Sequence, residues 1–373
     1  MKILVASDKF KGSLTAPEAC GAIATGLREG SASRPLEIRT LPIADGGDGI
    51  AETMLAACGG RWVECEVAGP LGDPVKAGYA LLGDGRSAVI EMAKASGIAL
   101  LGERANDPLR ASTYGTGQLI LNAIGRGVTE ILLGIGGSAT NDGGTGMAEA
   151  LGFRFEDAAG NALTGLPEGL EHVARILPPD KATFPAITVA CDVTNPLLGE
   201  RGCTRVYGPQ KGIVPAGFAL HEDRLAHLVA LTGAHGQSVA ESPGSGAAGG
   251  LGFGAMVFLG ATLASGFDYV SEQLGLAAAI AEADLVITGE GRLDSQSLQG
   301  KGPHGVVRLA RSLGKETAAF CGSLEDRTLE SEFGPITEIR DPDRSLGENL
   351  AEGAALLREA AKRFARRDLA GLP

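Results

Sequence analysis

The sequence predicts an α/β fold of two domains, one Rossmann-like with a parallel sheet and a second, mixed α/β domain inserted in it. Three observations carry this expectation. Short apolar runs alternate with capped helical segments at both ends of the chain, as in parallel βαβ units. In the middle the texture changes to short runs that alternate apolar and polar residues between turn signals, as in antiparallel strands. And 373 residues exceed what one continuous core usually holds.

The elements follow in order. Residues 2–6 (KILVA) form a short apolar run bounded by polar residues, a first strand. Thr15 supplies an N-cap and Glu18 the capping-box acid of a helix that ends at Gly30. Residues 36–41 read as a strand and 49–58 as a helix, stopped by Gly59 and Gly60, with Asp48 placed to cap it. Residues 61–68, 75–82 and 87–92 then read as an antiparallel meander. A helix over 117–126, a strand over 130–134 and a helix over 146–151 restore the α/β style. Residues 187–191 form a strand, 192–212 are irregular, 221–231 are helical, and 246–264 read as a glycine-rich helix. Beyond 267 come a helix (274–281), a strand (284–288), a helix (303–313) and a strand (317–321). A polar stretch runs to Ser345, and an amphipathic helix covers 346–366. Since both ends of the chain are βα, the expected domains are 1–65 with 265–373, and 66–264 as the insert.

Composition narrows the function. Lys plus Arg number 33 against 45 Asp plus Glu, a net charge of −12, which disfavours nucleic acid and anionic membrane as partners. Glycine takes 57 positions, well above the ~7% of average proteins, and no repeat period absorbs the excess. It therefore sits in turns and close-packed sites. The six cysteines form no C-x-x-C pair and are expected reduced. Asp8 interrupts the first apolar run, so the start does not read as a signal peptide, and a cytoplasmic location is expected. Residues 242–267 carry no charge, but Gly, Ala and Ser dominate them, and a buried helix is expected there rather than a membrane span.

Three glycine-rich segments each follow an expected strand and carry acids or amides at fixed points: LPIADGGDG (41–49), LLGIGGSATNDGG (132–144) and LVITGEGRLD (285–294). Glycine lets backbone N–H groups approach a ligand, and carboxylates hold a divalent cation or take a proton. Together they point to nucleotide-using chemistry. The loop Ser7–Asp8–Lys9–Phe10–Lys11 sits where open α/β sheets bind ligands, at the carboxyl end of a strand. Asp192 ends another strand, with Asn195 close behind. Arg292 suits bidentate grip of a carboxylate or phosphate, and Lys301 follows between two glycines. The five histidines show no metal-ligand spacing, and Walker A is absent. Gly134-x-Gly136-x-x-Ala139, with Glu156 downstream, leaves open an NAD(P)-dependent oxidoreductase of a small hydroxy acid. A third possibility is a non-catalytic ligand sensor.

The runs SDKFKGS (7–13), IADGGD (43–48), GIGGSATNDGG (134–144), CDVTNP (191–196), GSGAAGGLG (244–252), TGEGRLD (288–294) and GKG (300–302) together resemble the bacterial glycerate kinase family of class I, the glycerate 2-kinase type. They span nearly the whole chain. The resemblance implies ATP-dependent phosphorylation of D-glycerate, at the 2-hydroxyl, by a two-domain α/β enzyme with its site in the interdomain cleft. On the chemistry of phosphoryl transfer, Asp192 or Asp45 is assigned as general base, and Asp45, Asp48 and Glu290 as Mg²⁺ ligands. Lys9 or Lys11 is assigned to the transferring phosphoryl group. Arg292, Lys301, Asp8 and Asn195 are expected at the substrate. Gly136, Gly137, Ser138, Asn141, Asp142, Ser245 and Gly246 are expected at the nucleotide, and the enzyme as a monomer or homodimer.

Overall fold

Parallel strand pairing organises both halves of the molecule. A computed structural model describes residues 1–31, 35–44, 47, 49–180, 183–299 and 302–369. Its strands begin with β1 (Lys2–Val5), β2 (Glu37–Thr40), β3 (Gly60–Ala68), β4 (Pro74–Leu82), β5 (Ser87–Glu91), β6 (Glu130–Gly134) and β7 (Arg154–Glu156). They continue with β8 (Ala162–Leu163), β9 (Arg175–Leu177), β10 (Ala186–Ala190), β11 (Thr262–Ala264), β12 (Leu285–Leu293), β13 (Glu316–Leu324) and β14 (Ile336–Glu338). The chain divides into two units, Met1–Asp45 with Phe267–Pro373, and Gly46–Gly266.

The first unit carries a five-stranded sheet in the order β14-β13-β12-β1-β2, parallel throughout. Strand β1, flanked by β12 and β2, shows why. Ile3 and Val5 pack on one face with Ile23, Leu27 and Phe320, while Leu4 packs on the other with Ile43 and Val306. A strand apolar on both faces belongs between two helical layers, where each fully buried Leu, Ile or Phe contributes about 1.5–3 kcal/mol. The helix Ala16–Gly30 starts as expected, with a reciprocal capping box between Thr15 and Glu18. It lies against the helix Gly353–Arg367. A Cβ on Gly26 or Gly30 would collide with the carbonyls of Arg358 and Lys362, so glycine sets this close approach.

Two expectations for this unit need correction. The segment 288–294 is not a turn after a strand: β12 runs on to Leu293, because Glu290 and Arg292 stay in register with Cys321 and Ser323 of β13. The stretch read as polar loop before Ser345 holds a short helix, Glu330–Phe333, and β14, anchored by buried Phe333 and Ile336.

The second unit carries a six-stranded sheet, β11-β10-β6-β5-β4-β3. Strands β5, β6, β10 and β11 are parallel, and β3, β4 and β5 form the antiparallel meander. The observed fold class is therefore the expected α/β one, with a parallel sheet in one unit and a mixed sheet in the other. The first crossover falls at Asp45–Gly46, not at residue 65, which lies inside β3. That strand pairs with β4 from Gly60–Leu82 to Ala68–Pro74, so a cut at 65 would divide one hairpin.

Short elements escaped the sequence. Strands β7, β8 and β9 form a small antiparallel sheet, and the helix Cys203–Tyr207 interrupts the segment read as irregular. The glycine-rich helix Ala247–Leu259 contains a left-handed turn at Ala248, Gly249 and Gly250, with φ of 55°, 68° and 87°. Glycine adopts such angles freely, whereas Ala248 holds backbone strain. Among the described residues no helix is long and apolar enough to cross a membrane.

Candidate active site

In the second unit the candidate residues gather at the carboxyl ends of β5, β6 and β10, where Glu91 and Ala190 stand in register with Gly134 on either side. The turn after β6 is Gly136–Gly137–Ser138. The turn is tied to a neighbouring segment: the Ile98 N–H donates to the Gly137 carbonyl (2.9 Å), and the following Ala139 N–H donates to the Ser96 carbonyl (3.0 Å). Gly137 takes a φ of 72°. Among the described residues, the N–H groups of Gly136, Gly137 and Ser138 donate to no protein acceptor. That leaves three neighbouring donors of the kind that bind phosphate oxygens. Gly136 also meets another of the glycine-rich segments, since a Cβ on it would lie 3.3 Å from the Cα of Gly47.

Asp192 follows β10 and accepts the Gly266 N–H at 3.3 Å while keeping partial exposure. Glu91 was not foreseen. Its buried Oε1 accepts the N–H groups of Gly49 (3.0 Å) and Ala51 (2.8 Å) at the start of the helix Ile50–Cys58. The N-cap of that helix is Gly49, which has no side chain to cap with, and Glu91 supplies an acceptor from a distance. Asp48, expected as the cap, lies outside the described residues. No local pattern announces this, because 40 residues separate donor from acceptor.

Several residues expected at the nucleotide or substrate also brace the fold. Asp142 is fully buried, and its carboxylate accepts four hydrogen bonds, from the Thr113 N–H and hydroxyl and from the N–H groups of Gly144 and Gly146. Burial raises its pKa, although those donors oppose the shift. Its oxygens are committed to the fold. Asn141 is buried with its amide on Thr204 Oγ1 (3.1 Å). Ser245 donates to the Ala240 carbonyl, and the N–H groups of Ser245 and Gly246 donate to Ser242 and Asn195, so this turn has no free amide for phosphate. Asn195 uses both ends: Nδ2 donates to the Arg201 carbonyl (2.8 Å), and Oδ1 accepts the Tyr207 hydroxyl (2.6 Å).

In the first unit the loop after β1 lies along β12. The Asp8 N–H donates to the Gly289 carbonyl (2.9 Å), and Ser7 Oγ donates to the same oxygen (3.0 Å). Asp8 is buried, and its Oδ1 accepts the Lys9 N–H at 2.6 Å. Its Oδ2 lies 3.2 Å from where a Cβ of Gly302 would stand, at the start of the helix Gly302–Ser312. A Cβ on Gly291 would come within 3.0 Å of the Lys11 nitrogen, so Glu290 is carried past this loop on a closely packed strand. The fold thus gathers Asp8, Lys9, Lys11 and Glu290. Arg292 lies two residues beyond Glu290, its guanidinium facing Asp294 (3.1 Å) and Glu325 (3.8 Å) with 64% of the side chain exposed. Ion pairs that exposed hold a side chain weakly, so a ligand carboxylate can compete for Arg292.

Asp45, Asp48 and Lys301 lie outside the described residues. Among those that are described, no three His, Cys, Asp or Glu residues cluster as a metal site.

The dinucleotide alternative fails on geometry. The helix that should receive a pyrophosphate begins only at Thr145, capped by left-handed Gly144, after the buried Asn141–Asp142 segment. Glu156 lies in the small antiparallel sheet and pairs with Arg175 (3.2 Å).

Fold and loops define an α/β enzyme of the phosphotransferase kind, and similarity to known proteins makes the class specific. A model of the glycerate kinase family matches residues 3–368. The chain is 45% identical to the glycerate 2-kinase of Escherichia coli (strain K12) over 357 residues, covering 92% of this chain and 93% of that protein. It is 41% identical to a glycerate kinase of Halalkalibacterium halodurans, covering 97% of each. The crystal structure of a protein described as glycerate kinase 2 from Salmonella typhimurium LT2 superposes with a TM-score of 0.89 at 42% identity, covering 100% of this chain and 99% of that one. The chain belongs to the glycerate kinase family and is a kinase.

Proposed function

We propose that this protein transfers the γ-phosphoryl group of ATP to the 2-hydroxyl of D-glycerate, giving 2-phosphoglycerate and ADP. The observation that carries this is the match to named glycerate kinases along nearly the whole chain, loops included. Phosphoryl transfer asks little covalent chemistry of the protein; it needs in-line positioning, charge neutralisation and a receiver for the hydroxyl proton. The Gly136–Gly137–Ser138 turn supplies backbone donors for phosphate oxygens. Asp192, half-buried at the end of β10, is the proposed base, with Asp45 the alternative. Lys9 and Lys11, carried by the loop after β1, would neutralise the transferring group, and Asp8 holds that loop through the Lys9 N–H. Arg292 and Lys301 are assigned to the glycerate carboxylate.

Mg²⁺ takes one or two carboxylates, with phosphate oxygens and water completing its shell, so a dense protein cluster is not required. Glu290, Asp45 and Asp48 are the proposed ligands. The ion would screen the phosphate charge; the protein's part is to hold these oxygens in place. The enzyme is read as cytoplasmic, a monomer or homodimer, and its net charge of −12 supports action without nucleic acid or anionic membrane.

The test is turnover of D-glycerate with Mg-ATP, followed by ADP release. Glycerate-dependent ADP supports the proposal, and ATP consumption indifferent to glycerate would sink it.

A further inference from the structure

The most unusual charge in the described structure lies beneath the β6 loop. Lys211, in the short 3-10 turn Pro209–Lys211, is 2% exposed, and its Nζ donates to the Thr140 carbonyl at 2.7 Å. Asn106 closes the same joint from another segment, its Nδ2 donating to the carbonyls of Ala139 (2.8 Å) and Lys211 (2.9 Å). Gly249, in the left-handed turn, seals the far side: a Cβ there would collide with the Thr140 carbonyl, and the Gly249 carbonyl accepts the Gly143 N–H (3.0 Å). Residues 139–143 are thus gripped from three segments distant in sequence, immediately after the Gly136–Ser138 turn.

A buried ammonium is a poor device for stability alone. Taking the charge out of water costs several kcal/mol, and a neutral donor could satisfy one carbonyl. Burial works against the charge, and electrostatic interaction with Cys203 and Asp142 offsets only part of that cost. Thr140 Oγ1, Asn141 Oδ1 and Asn106 Oδ1 are buried without a hydrogen-bond partner.

We propose that Lys211 is a positioning residue for phosphoryl transfer, whose buried charge fixes the Thr140 peptide and sets the preceding Gly136–Ser138 turn to receive phosphate oxygens. On the reading that this turn cradles nucleotide phosphate, loss of the charge loosens the cradle and weakens use of ATP before use of glycerate. Burial lowers the pKa of Lys211 to about 8, so the clamp releases just above neutral pH. A merely structural lysine would give no such titration in catalysis.

The test combines kinetics with hydrogen exchange of the 134–145 segment, between about pH 6.5 and 10, for wild type, Lys211→Met and Lys211→Arg. In wild type, kcat/KM for ATP should fall through an alkaline limb near pH 8, with exchange of the segment rising along it. Lys211→Met should lower kcat/KM for ATP about tenfold or more at neutral pH, with no alkaline limb and fast exchange throughout. Lys211→Arg, which stays charged, should keep activity and move the limb upward. Wild-type kinetics and exchange in Lys211→Met, with the limb intact, would overturn the proposal. If the wild type never phosphorylates glycerate, the kinase reading fails separately. The exchange data then decide the clamp: protection lost through pH 8 in wild type alone sustains it, and equal exchange in wild type and Lys211→Met ends it.

Discussion

Asp142 Oδ2 accepts both the N–H and the hydroxyl of Thr113, at 2.8 and 2.7 Å, and so ties the loop after β6 to the start of the helix Tyr114–Ile124. With the Gly144 and Gly146 amides on the same carboxylate, Asp142 accepts four hydrogen bonds. Replacing one oxygen with an amide puts a donor against a donor in a buried site. Asp142→Asn should therefore lower unfolding stability by about 1–3 kcal/mol, read as a shift of the urea midpoint at unchanged slope. An unchanged midpoint would mean the network bears no strain from the swap.

Glu91 makes a similar contribution to the segment next to Asp48. Glu91→Ala leaves the amides of Gly49 and Ala51 without an acceptor and should cost about 1–2 kcal/mol, whereas Glu91→Gln keeps an oxygen there and should cost less. Equal losses in the two variants would show that charge, not hydrogen bonding, caps this helix.

Lys211 predicts a pH effect on stability whose sign is opposite to its effect on catalysis. Its folded pKa lies below the usual 10.5, so its stabilising contribution is present above 10.5 and lost as pH falls through about 8. Relative to Lys211→Met, the wild type should gain thermal stability between those two values. At pH 7 the less active variant should be the more stable protein. A melting difference flat across that window would contradict the buried titration.

Roles at the reacting groups separate by kinetics. Asp192→Asn should lower kcat by about 10²–10⁴ if Asp192 takes the hydroxyl proton. Near-normal turnover with unchanged metal dependence would transfer that role to Asp45.

Arg292→Lys should raise KM for glycerate and spare that for ATP, since an ammonium cannot make the bidentate contact. Equal rises for both substrates, or none, would leave Arg292 as a surface partner of Asp294 and Glu325.

The features legible in the sequence were those encoded locally. The capping box of Thr15 and Glu18, the doubly apolar β1 and the alternation of β3 and β4 all depend on neighbours a few residues away. What escaped depends on distant partners. Glu91 lies in EMAK and Lys211 in PQKG, and neither carries a local signal, because their partners, Gly49 and Thr140, are 42 and 71 residues away. For the same reason the bracing bonds of Asp142, Ser245 and Asn195 were not legible. A polar residue among glycines looks the same in sequence whether it faces a ligand or braces the loop. The continuation of β12 through Gly289 and Gly291 was hidden by glycines that resemble a turn but serve close packing against Phe320 and Lys11.

The central claim is tested most directly by incubating the protein with D-glycerate and Mg-ATP and passing the product to enolase with no phosphoglycerate mutase present. Immediate formation of phosphoenolpyruvate is the expected result, because enolase accepts 2-phosphoglycerate. ADP release with phosphoenolpyruvate appearing only after mutase is added would place the phosphate on the 3-hydroxyl and contradict the proposed regiochemistry. No glycerate-dependent ADP at all would contradict the kinase function itself.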